Sequence, residues 1–151
     1  VILRWVKLIR ALSDYKFAID QASIVATTDA RGIITSVNKK FEEISKYSAQ
    51  ELIGKSHSII NSGHHGADFW EEIWRTIAAG DVWAGEVKNR AKDGSFYWVN
   101  TTIIPFLDSD QRPIKYMALR TDITEQKTAQ KELEGARDRA CIQRRWPALE
   151  S

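Results

Sequence analysis

The chain has 151 residues, 43% hydrophobic and 28% charged, which is enough for one globular domain with a real core and too apolar for a chain that stays disordered. The net charge of +2 owes much to the C-terminal Arg137, Arg139, Arg144 and Arg145, which are not interleaved with aromatic residues, so no nucleic-acid partner is expected. A single cysteine, Cys141, excludes an internal disulfide framework and a multi-cysteine zinc site and fits a reducing, cytoplasmic setting.

In chain order, the opening VILRWVKLIRAL is broken by Arg4, Lys7 and Arg10 and is neither a signal peptide nor a spanning helix, although the parent protein could still be membrane-anchored. Trp5, Leu8, Leu12, Tyr15 and Ile19 recur at a 3-4-3-4 spacing, which predicts an amphipathic helix over residues 1–21. Its stripe is either the seam of a homodimer or a face packed on its own domain. Ile24 to Thr28 and Ile33 to Val37 read as two strands joined by a turn at Asp29 to Gly32.

Lys39 to Ser45 and Ser48 to Ile53 read as short helices, the second opened by the capping box of Ser48 and Glu51 and stopped by Gly54. The irregular KSHSIINSGHHGAD follows. Asp68 is expected to cap a helix from Phe69 to Ala79 whose apolar face is Trp70, Ile73, Trp74 and Ile77. Then VWAGEVKNRAKDGSFYWVN alternates: Trp83, Gly85, Val87 and Asn89 on one face, Ala84, Glu86, Lys88 and Arg90 on the other. With turn residues at Lys92 to Ser95 and a second run from Phe96 to Phe106, this is a hairpin.

Asn89 therefore falls on the inner face of a strand, where an amide without partners costs about 1–3 kcal/mol. Protein, water or a ligand must meet it. Asn38 stands before a helix, so capping accounts for it as well as ligand contact does. Asn100 and Thr102 share a face with Trp98 and line the interior only if that face points inward. PIKYMALRTDI supplies the last strand, and from Thr124 the polar, helix-favouring EQKTAQKELEGARDRA reads as a connector completed by another segment or chain. No function is read from residues 141–151.

No nucleophile elbow, phosphate-binding glycine loop or paired histidine and nucleophile is present, so no enzyme is expected. His64 and His65 invite a metal or haem reading, yet adjacent loop residues do not chelate by themselves.

The order of elements, with TDARGIITSVNKKFEEISKYSAQELIGKSH, KDGSFYWV and RTDITEQK, resembles a PAS domain. The resemblance implies an α+β fold, a five-stranded antiparallel sheet with short helices on one face, flanked by N- and C-terminal helices. The units are then 1–21, the N-terminal helix; 22–124, the sensor domain; and 125–151, the connector helix and tail. GKSHSIINSG together with FWEEIWRTIAAGDVWAGEVKNRAKDGSFYWV is similar to the flavin-binding PAS domains of the aerotaxis receptor and of redox-sensing regulators.

That similarity implies noncovalent FAD held by Asn89, Trp83, Asn38 and His57, with Asn89 at the pyrimidine edge of the ring. No metal is expected from the spacing of the histidines and the single cysteine. The partner it implies is an output domain such as a histidine kinase, cyclase or chemoreceptor, while the apolar stripe of the N-terminal helix favours a homodimer. Where blue-light relatives carry a reactive cysteine, His57 stands, so covalent flavin photochemistry is not expected. The alternatives are a cofactor-free dimerisation and relay module, or a haem-binding sensor.

Overall fold

A short carboxylate organises the first turn. Asp29 Oδ1 accepts from the backbone N–H groups of Arg31 (2.8 Å) and Ile33 (3.0 Å), closing the hairpin between Ile24–Asp29 (β1) and Ile34–Val37 (β2). β1 also pairs with Pro113–Asp122 (β5), β5 with Phe96–Leu107 (β4), and β4 with Trp83–Arg90 (β3). The sheet order is β2-β1-β5-β4-β3 and every pair is antiparallel, which is the expected α+β PAS architecture. The computed structural model describes residues 1–145. The reading of residues 141–151 therefore falls partly outside them, Trp146 and Pro147 included.

Among the described residues five helices complete the fold: Ile2–Ala22 (α1), Lys39–Ser45 (α2), Ala49–Leu52 (α3), Ala67–Ala78 (α4) and Thr124–Arg145 (α5), with a 3-10 turn at His57–Ile60. The middle helices and the turn put Phe41, Leu52, Ile60, Ile73 and Ile77 into one core with Val99 of the sheet. Burying an aliphatic or aromatic side chain of this size stabilises by about 1.5–3 kcal/mol, so this layer holds the helices on the sheet.

Two local expectations change. α4 starts at Ala67 with Gly66 at its N-cap and no side-chain cap bond, so Asp68 acts from within the first turn, where its charge complements the helix dipole. The segment read as irregular contains the 3-10 turn, whose N-cap Ser56 accepts from Ser58 N–H.

The terminal helices have no buried residue. Trp5, Leu8, Leu12, Tyr15 and Ile19 are 41–69% exposed, so most of the α1 stripe is left uncovered by its own domain. Leu133 of α5 is exposed as well. Among the described residues no helix is long and apolar enough to cross a membrane.

Candidate functional site

The inner face of the sheet is set by strand parity. Asn89 on β3, Tyr97, Val99 and Thr101 on β4, and Tyr116, Ala118 and Arg120 on β5 all point to the helical side and are buried. Trp98, Asn100 and Thr102 take the opposite face, so the last two are not interior lining. Between that floor and a cover made by the 3-10 turn and α4 lies a cavity of about 220 Å³. This is more than ten times the ~10–15 Å³ that admits one water.

The cavity is apolar in most of its lining but carries an unusual set of donors. Arg120, 5% exposed, sits inside it with no carboxylate partner among the described residues. Its Nη2 donates to His57 Nε2 at 2.6 Å, and the guanidinium carbon lies 5.5 Å from the Phe41 ring centre. Its Nη1 is buried with no hydrogen-bond partner, as are the Thr101 hydroxyl, register partner of Arg120 on β4, and Trp70 Nε1 on α4. An uncompensated buried charge typically costs about 3–5 kcal/mol, and each orphaned polar atom about 1–3.

Burial brings Arg120 down to about 10, and burial together with the Arg120 charge brings His57 down to about 3. His57 is neutral at pH 7. Because a guanidinium only donates, Nε2 must be the acceptor and the ring proton resides on Nδ1. Burial likewise pushes Tyr97, which faces Asn89 across the β3–β4 pair, up to about 12, with the Arg120 charge and the Asn89 amide acting in the opposite direction. The Tyr97 hydroxyl still lacks a well-formed hydrogen bond.

The four residues expected to hold a ring fall into two groups. Asn89 and His57 line the cavity. Trp83 and Asn38 do not. Trp83 is buried on the inner face but packs edge-on against Phe69 (5.7 Å) and over Gly85, where a Cβ would stand 2.7 Å from the indole. Asn38 joins three elements: Oδ1 accepts from Phe41 N–H (3.1 Å) and Val25 N–H (3.0 Å), and Nδ2 donates to the carbonyls of Ser23 (2.7 Å) and Asp20 (3.3 Å). Its amide is fully engaged in capping α2 and tethering α1 and β1.

His65 also has a structural task. Its ring stacks on Phe69 at 3.9 Å, and its Nε2 accepts the N–H of Lys88 on the open edge of β3. Ser62 Oγ donates to the Lys88 carbonyl at 2.6 Å, and Asn61 bridges Asn89. The histidine-bearing loop thereby covers the sheet edge. Among the described residues no cluster of three or more His, Cys, Asp or Glu could hold a metal ion.

Sequence reasoning missed Arg120, Thr101 and Trp70 as site residues. The signal was present for Arg120: counting by two along PIKYMALRTDI places it on the face of Tyr116 and Ala118.

The strand that carries Arg120 leads directly into α5. Two residues beyond Arg120, Asp122 Oδ1 accepts from the Thr124 N–H (3.0 Å) and hydroxyl (2.6 Å), and Thr124 Oγ1 accepts from Trp98 N–H at 3.0 Å. Lys127 pairs with Glu86 of β3 and lies 4.6 Å from the Trp98 ring centre.

Residues 21–125 match the family model of the PAS domain. The chain is 33% identical over 110 residues, 73% of its own length, to the aerotaxis receptor of Escherichia coli K12. It is 30% identical over 116 residues, 76% of its length, to a nitrogen fixation regulatory protein of Klebsiella pneumoniae. It spans only 22% and 23% of those relatives. An RNA-binding light-oxygen-voltage receptor shares the fold at a TM-score of 0.71 and 21% identity, over 82% of this chain and 36% of that one.

Proposed function

The chain belongs to the PAS domain family, and from that premise we propose that it is a sensory module that binds FAD noncovalently in its internal cavity and relays redox state or oxygen through α5 to an output domain. The observation that carries this reading is the group of unpartnered buried donors, Arg120 Nη1, Thr101 Oγ1 and Trp70 Nε1, on three residues that line one largely apolar cavity. They fit the ring carbonyls and nitrogens of an isoalloxazine, and Asn89 offers both a donor and an acceptor to its pyrimidine edge. The likeness to an aerotaxis receptor and a nitrogen fixation regulator supports a redox or oxygen signal.

A bound flavin supplies reversible redox chemistry at a ring whose protonation changes with its oxidation state. The chain's own residues read that change. Arg120 would present a fixed positive charge to the bound ring, and His57 orients it by accepting at Nε2. Asn89 can turn its amide to exchange donor for acceptor. A shift of Arg120 moves β5 two residues before Asp122, the group that fixes the start of α5.

Trp83 and Asn38 serving the protein itself is equally what a cofactor-free relay module would show. The orphaned donors favour an occupied cavity. The exposed stripe of α1 is proposed to pair with a second copy, the domain is proposed to act without catalysis of its own, and a cytoplasmic location is proposed for it. The test is the visible absorption of the purified chain after incubation with FAD: bands near the flavin position that bleach on reduction support the reading, and a colourless chain contradicts it.

A further inference from the structure

Arg120 is a cation that the protein leaves unanswered. Its Nη2 contacts a neutral imidazole, its guanidinium carbon lies near an aromatic ring, and its Nη1 has no partner. Among the described residues no aspartate or glutamate lines the cavity. The other unpartnered buried polar atoms are the Thr101 hydroxyl, the Trp70 indole N–H and the Tyr97 hydroxyl, whose proton burial holds in place up to about 12, so none of them adds a negative charge at pH 7. A water could accept from Nη1, yet it would leave the charge uncompensated in an apolar space.

We propose that the cavity selects a planar ligand presenting a negatively charged acceptor edge to Arg120, so that the ligand itself is the missing counter-ion. The proposal deepens the reading above and rests on its claim that the cavity holds a ring; what it adds is the charge at one edge of that ring. The apolar walls from α4 and β3, with Ile73, Ile77 and Val87, accept the body of the ligand, while Arg120, Thr101 and Trp70 receive its acceptors. Charge-assisted hydrogen bonds of this kind are roughly twice as strong as neutral ones, which makes the charged end decisive for selection.

The test uses two probes that share a bicyclic ring and differ in charge, 2-naphthoate and 2-naphthamide, titrated into the whole chain and followed by calorimetry and thermal unfolding. The expected result is naphthoate binding about tenfold or more tighter than naphthamide, with the preference lost in Arg120→Gln and kept in Thr101→Val. Should Arg120→Gln fail to fold, Arg120→Lys, which retains the charge, is expected to keep the preference. Equal binding of the two probes, binding of neither, or a preference surviving in Arg120→Gln overturns the proposal, as does its loss in Arg120→Lys. Neither probe is a flavin. A chain that prefers naphthoate and stays colourless with FAD defeats the flavin reading alone, and one that binds FAD without a charge preference defeats this inference alone.

Discussion

Arg120 Nη2 and His57 Nε2 meet at 2.6 Å, joining the central strand β5 to the 3-10 turn that covers the cavity. The contact fixes the imidazole in its neutral form, because protonating Nε2 would set two cations against each other inside the core.

A pH dependence follows with a definite sign. The folded-state pKa of His57 is lowered, to about 3 from 6.5, so the unfolded chain binds more protons between those values and stability rises with pH across that window. As pH falls from 7 to 4 the chain should lose on the order of 1–3 kcal/mol through this residue, since the side chain is inside while the residue is only partly covered. Urea denaturation at the two pH values should show the loss, and His57→Gln, which keeps an acceptor for Arg120, should flatten it.

Asn38→Ala removes one helix cap and three further hydrogen bonds at the junction of α1, β1 and α2. A cost of about 1–3 kcal/mol is expected in urea denaturation, with FAD affinity of the folded protein unchanged. Reduced affinity in a fully folded variant would place Asn38 at the ligand after all.

The cover of the β3 edge is testable at one atom. His65→Phe retains stacking on Phe69 and leaves the Lys88 N–H without its acceptor. Hydrogen exchange at the Lys88 amide should accelerate, and stability should fall by about 0.5–1.5 kcal/mol.

Trp5→Glu or Leu12→Glu should weaken self-association in sedimentation equilibrium while leaving the thermal midpoint of the isolated domain nearly unmoved, because neither side chain is buried in the single chain. A dimerisation constant equal to wild type would show that the stripe does not pair two copies.

The hairpin of β3 and β4, the inward position of Asn89 and the Ser48 capping box were legible in the sequence, because alternation and capping are local patterns. Ser48 and Glu51 form both halves of that box, at 3.2 and 2.8 Å. What the sequence did not disclose depends on contacts between distant elements. Asn38 looks the same before a helix whether its amide faces a ligand or ties Val25 and Ser23, and only the approach of α1 and β1 decides between them. Arg120 escaped notice because a charged residue in a strand ordinarily marks the wet face, while here it ends an inward row begun by Tyr116 and Ala118. The parity of β4 needed the register with β3 and β5 before Thr101 could be told apart from Thr102.

The measurement that bears most directly on the central claim is the indole N–H signal of Trp70 in a proton–nitrogen correlation spectrum, assigned with Trp70→Phe and followed during titration with FAD. The account predicts that this orphaned donor shifts saturably with FAD, together with the side-chain signal of Asn89, while the amide of Asn38 stays in place. Saturable binding of FAD that leaves Trp70 and Asn89 unmoved, or no binding at all, would contradict it.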